Sequence, residues 1–135
     1  MKKLLSINYS QGAFNFAILF LRIGLGALML PHGYQKLVKF SSMKNTFMDF
    51  LGMGSTMSLS LTIFAEFFCS LFLIFGLFSR LVVIPLIIAM CVAVFIAHNH
   101  DFFGKGELAT IYLIGFFTIL LVGPGKVSVD GMINK

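Results

Sequence analysis

The chain has 135 residues, a net charge of +5 and a composition 59% hydrophobic but only 11% charged, with mean hydropathy +0.99. Soluble domains carry about 25% charged residues, so this balance excludes a water-soluble fold and calls for lipid. The basic residues stand singly at the borders of apolar runs, which suits anionic lipid headgroups and excludes a nucleic-acid surface.

"MKK" followed by apolar residues resembles a secretory leader, but Asn8, Tyr9, Ser10 and Gln11 interrupt the start. Arg22 interrupts the next stretch, and no small-x-small cleavage site precedes Pro31. The segment reads as a retained first helix. Apolar runs over residues 14–30, 56–77, 81–97 and 107–122 are too long for strands. Backbone groups in lipid must pair internally, so the runs predict four membrane helices in one domain over residues 1–135. Pro31 and Pro124 fall just past predicted helix ends, and Pro85 falls in the first turn or so of the third helix. The short link "FSR", residues 78–80, forces the second and third helices antiparallel. In the longer first connection Met43, Phe47, Phe50 and Leu51 recur at helical spacing, with Lys44, Asn45 and Asp49 elsewhere. That pattern predicts a short helix lying in the interface. The expected fold class is all-α: an integral membrane four-helix bundle with a short interfacial helix between helices 1 and 2.

With four spans both termini share a side, and five lysines and arginines on that side against four on the other favour cytoplasmic termini. The opposite face collects His32, Tyr34, Lys36, His98, His100, Asp101 and Glu107. Arg22 is the middle residue of its run and Glu66 is next to the middle of the second. A lone charge at that depth costs about 2.5–3.5 kcal/mol, so each is expected to partner the other. Two readings of that pair stand level: a pin that fixes helix register without chemistry, or part of a site. Ser58, Thr62, Glu66 and Ser70 form a polar stripe at four-residue spacing, and Asn15, Arg22 and Met29 share a stripe beside the small Gly24, Gly26 and Ala27. The site reading predicts an intramembrane ligand pocket at Arg22, Glu66, Thr62 and Ser58, with a mouth at His32, Lys36, His98 and Glu107. It would take a small polar molecule or a quinone headgroup, or pass protons. Arg22 would hold a carbonyl or anionic oxygen, Glu66 would tune it or exchange a proton, and His32 would relay protons at the mouth.

"HNHD" brings His98, His100 and Asp101 near Glu107, but H-x-H puts its rings on different helix faces, so a solvated turn is favoured and no metal site is predicted. Cys69 and Cys91 form no C-x-x-C pair and read as core. There is no phosphate loop, nucleophile elbow or haem-attachment motif, hence no intrinsic cofactor is expected.

"LRIGLGALMLPHGYQKL", "AEFFCSLFLIFGLFSRL", "AHNHDFFGKGELATIYL" and "GPGKVSVDG" follow one another in order, and together they resemble the DoxX family of small bacterial four-helix membrane proteins over residues 18–131. Arg22, His32, Gly33, Lys36, Glu66, Gly76, Arg80, Glu107, Gly123, Pro124, Gly125 and Asp130 match its pattern, with no accepted catalytic roles to carry over. The resemblance implies a bacterial inner-membrane subunit or partner of an oxidoreductase, as in thiosulfate:quinone oxidoreductase, linked to oxidative or thiol stress. It makes quinone a candidate ligand and an oxidoreductase subunit a candidate partner, beside the bilayer that the composition calls for; a second copy of the chain is a further candidate, one that the transporter class would favour. Two other classes stay open: a non-catalytic membrane anchor or assembly factor, and a small solute or proton transporter. Asp130 is expected to be solvated, or else to accept from a helix end or from Arg80.

Overall fold

Ser10 supplies the cap that starts the first helix, its hydroxyl oxygen accepting the Ala13 amide at 3.0 Å. The structure, a computed structural model, describes residues 4–49, 52–97, 99 and 101–133. Helix α1 spans Gln11–Val38 and passes straight through Pro31, where the sequence predicts its end. Pro31 has no N–H to offer the Ala27 carbonyl, yet the helix continues because its last turns pack on the next span. Gly33 makes that contact possible: a Cβ there would lie 2.6 Å from the Glu66 carbonyl carbon and the Phe67 amide nitrogen.

The predicted interfacial helix shrinks to α2, Phe40–Met43, and residues 44–46 are turns. Side chains take the backbone groups that a helix would use: the Ser55 and Thr56 hydroxyls donate to the Lys44 carbonyl, and the Gly54 amide donates to Asp49. Phe50 and Leu51, two of the four residues behind that expectation, lie outside the described residues.

Helix α3 covers Ser55–Phe75 with a π-helical stretch at Phe64–Cys69, and Gly76 closes it in the left-handed conformation at φ 74°. Helix α4 covers Ser79–Val92 and continues as a π-helical Ala93–Ala97. Its start at Ser79 makes Pro85 the seventh residue, two residues deeper than the predicted start at residue 81 would put it. Helix α5, Glu107–Val122, matches its predicted bounds, and a one-turn α6 follows at Val129–Ile133. No strand occurs among the described residues.

Helix α1 packs on α3, α3 and α4 form the antiparallel pair, and α4 packs on α5. Met29, Cys69, Leu73, Val83, Leu86, Met90, Phe116 and Ile119 fill the centre. Phe16, Phe20, Leu28, Leu81, Ile114 and Leu121 point outward, whereas Arg22, Ser58, Glu66, Ser70 and Ser79 are buried. This apolar-out arrangement is the one that lipid, not water, stabilises. Gln11–Val38, Ser55–Phe75 and Ser79–Ile96 are long and apolar enough to cross a membrane, and α5 is an apolar helix of 16 residues. The chain is thus an all-helical membrane protein.

Replacing Gly33 with alanine should overpack the α1–α3 contact, where only backbone can yield, and destabilise the protein by about 1–3 kcal/mol. Thermal unfolding in detergent measures it, and an unchanged midpoint would remove Gly33 from the packing argument.

Candidate functional site

One face of α3 presents Ser58, Leu61, Thr62, Ala65 and Glu66, and one face of α4 presents Pro85, Ile88, Ala89, Val92 and Ala93. Both sets repeat at i, i+3, i+4, i+7 and i+8, the signature of one helix face. Ala89 and Ala93 are too small to fill the space between the two faces, and a cavity of about 530 Å³ remains, within the usual range for small-molecule sites. Phe47, Met48 and Met53 from the α2–α3 connection cover one end.

The chemistry of this cavity rests on one ion pair. Lys36, in the last turn of α1, donates from Nζ to Glu66 Oε1 at 2.6 Å, and the two side chains are 23% and 6% exposed. Glu66 sits in the π-helical stretch of α3, where the wider turn changes the direction in which successive side chains leave the helix. The Thr62 hydroxyl donates to the Ser58 carbonyl one turn back, so Thr62 has spent its own proton. Behind the pair, Tyr112 of α5 is buried, stacked on Phe116 and edge-on to His32 at 6.1 Å between ring centroids. Tyr112 is also within electrostatic reach of Glu66.

The expected partnership of Arg22 with Glu66 is not formed. The Arg22 guanidinium donates to the carbonyls of Pro124 at 2.6 Å, Val127 at 2.9 Å and Ile74 at 3.4 Å, and Arg22 is 2% exposed. These carbonyls belong to the last turn of α3 and the segment after α5, where helix ends leave acceptors without helical donors and the helix dipole is negative. Asp130 adds a favourable charge. Glu66 lies eight residues before Ile74, about 12 Å along the helix, level with Gly33 instead. Counting depth from the centres of apolar runs misses this because α1 runs past Pro31 and shifts the register.

Of the residues expected in the pocket, Glu66, Thr62 and Ser58 line the cavity together with Lys36, which the sequence places only at the mouth. Arg22 lies at the other end of the bundle. Ser70, the fourth member of the polar stripe, is buried beside Gly26 of α1. The π-helical turn between Glu66 and Ser70 takes it out of line with the first three. His32 is half-buried and stands behind the cavity wall, and Glu107 is exposed at the start of α5, away from the cavity. His98 and His100 lie outside the described residues. Among the described residues no three His, Cys, Asp or Glu side chains are grouped to hold a metal ion. Tyr112 is a site residue that the sequence does not single out; its signal there is a lone polar aromatic one turn into the fourth apolar run.

Asp130 takes the helix-end role: its carboxylate accepts the Phe78 and Ser79 amides at 2.8 Å each and so caps α4, while its own amide donates to the Gly76 carbonyl. Arg80 Nη2 donates to the Leu121 carbonyl at 3.5 Å.

The sequence model of the DoxX family matches residues 17–99, a stretch that contains every residue lining the cavity. No curated protein and no solved structure matches the chain.

A double-mutant cycle separates the observed partner from the expected one. Lys36→Met with Glu66→Gln should show a coupling of about 0.5–3 kcal/mol, whereas Arg22→Met with Glu66→Gln should add within about 0.5 kcal/mol. Unfolding in detergent gives both values, and coupling of Arg22 to Glu66 as large as that of Lys36 would refute the assignment.

Proposed function

The chain belongs to the DoxX family of membrane proteins, and on that premise we propose that it binds a quinone in the α3–α4 cavity and serves as the membrane-embedded partner of an oxidoreductase. The observation that carries this reading is a Lys36–Glu66 pair in the wall of a largely apolar cavity of about 530 Å³. The donor set fits the group: a quinone needs a hydrogen-bond donor for its carbonyl oxygen, a group that exchanges protons beside it, and apolar walls around its ring and tail. Bound there, a quinone supplies two-electron, two-proton redox chemistry. Lys36 donates a hydrogen bond to the carbonyl oxygen, and Glu66 orients the ammonium and carries a proton at the same position. Leu61, Ile88 and Val92 keep water from the ring. Electrons come from the partner, in line with a role in oxidative or thiol stress.

In this reading α5 completes a set of four spans in a bacterial inner membrane, with both termini cytoplasmic. Its 16 residues cover about 24 Å, slightly less than the apolar core of a bilayer. The anchor reading keeps one observation of its own: the bonds of Arg22 all go to backbone carbonyls, as a purely structural residue requires.

Purified wild-type protein in mild detergent should bind a short-tailed benzoquinone saturably, and Ala89→Phe, which fills the cavity, should abolish binding while helix content by circular dichroism is retained. Glu66→Gln should weaken binding at least several-fold. Equal binding by wild type and Ala89→Phe would move the protein to the anchor class.

A further inference from the structure

Leu61 and Phe64 of α3 and Ile88 of α4 line the cavity and also face outward, with 47%, 49% and 52% of their surfaces exposed. They form lips rather than a closed wall. Leu61 and Phe64 lie six and nine residues into α3, about 9 and 14 Å from its start at 1.5 Å per residue. Ile88 lies eight residues before Ile96, about 12 Å from that end of α4. The 21 residues of α3 themselves span about 31 Å, the thickness of the apolar core of a bilayer, so the lips sit inside the hydrocarbon and below the headgroups. At the end nearer water, the half-buried Phe47 and Met48 cover the cavity. Lys36 and Glu66 are the charged residues in the lining, and they stand on the α1 side of it.

We infer that the cavity is entered sideways from the bilayer, between α3 and α4, and that its ligand is a membrane-dissolved amphiphile whose head accepts a hydrogen bond from Lys36 while its apolar chain passes out between Leu61, Phe64 and Ile88 into lipid. This rests on the ligand-binding reading above and narrows it: solutes arriving from water are not the ligands of this site. A hydrogen-bond-accepting head on an apolar chain is common to an isoprenoid quinone and a phospholipid, and the experiment distinguishes them.

The chain contains no tryptophan, so Val92→Trp places a single fluorescent reporter on the inner wall, in a cavity with room for the extra ring volume. The variant is reconstituted into liposomes of plain phospholipid or of phospholipid brominated along its chains, with helix content checked by circular dichroism. Sideways entry predicts that a short-tailed benzoquinone in plain liposomes quenches the reporter saturably, that this quenching disappears when Ala89→Phe is added, and that aqueous iodide quenches little. Strong quenching by brominated chains without saturable quenching by the quinone would keep the sideways entry, make an acyl chain the occupant, and overturn the quinone reading. Quenching by iodide and not by brominated chains or quinone would place the opening in water and overturn the inference. A reporter insensitive to all three would mean a sealed void and overturn it equally.

Discussion

A guanidinium buried at 2% exposure among backbone carbonyls is the constraint on which the rest of this bundle depends. Arg22 cannot lose its charge or leave its helix, so the chain must bring acceptors to it. It does so with the two places where backbone acceptors are left over, the last turn of α3 and the segment after α5. One side chain thereby joins α1, the α3 end and the C-terminal segment. The same junction sets how far α1 slides along α3, and that slide puts Gly33 against Glu66 and Lys36 within 2.6 Å of its carboxylate. The ion pair of the cavity is therefore positioned from the opposite end of the helix.

The cavity itself comes from departures from regular helix. The wall on α3 passes into a π-helical turn at Phe64–Cys69, and the wall on α4 contains Pro85 and passes into another at Ala93–Ala97. Each loosens the backbone where the two helices would otherwise close on each other, and Ala89 and Ala93 leave the gap unfilled. Toward Gly76 the two helices are regular and tightly joined, with Asp130 capping the start of α4. The pair is packed together at the turn and spread apart toward the far end, where Phe47 and Met48 cover the gap.

How much of this the sequence shows depends on whether a feature is local. The bounds of α5 are legible because Gly106 and Gly123 punctuate an unbroken apolar run, and the Ser58, Thr62 and Glu66 face is legible because it follows ordinary helical spacing. Ser70 drops out of that face because a π-helical turn has no marker in residue spacing. Pro31 misleads because tertiary packing of Gly33 outweighs the local loss of one hydrogen bond. The Arg22–Glu66 expectation fails for a different reason: two charges central in their own runs are at equal depth only if the runs are aligned by their centres, and alignment is a property of packing. Lys36 is under-read for the same cause, since its reach to Glu66 follows from register and not from its place near a helix end.

The sign of the site now limits its ligand. Lys36 and Glu66 together are neutral, so the cavity offers a polar contact without a net field to attract an anion from the headgroup region. An anionic head would gain the ammonium only by meeting the carboxylate beside it, a repulsion that works as selection against such ligands. A neutral head with an acceptor oxygen meets no such penalty and shares the ammonium's remaining donors while the ion pair stays intact. Arg22 is the other cation that an anion would choose, but its terminal nitrogens donate to backbone carbonyls away from the cavity and Asp130 already supplies a favourable charge. The separation of the two cations thus divides the labour: the one that never gives up its charge holds the bundle together, and the one balanced by a carboxylate faces the space where a ligand fits.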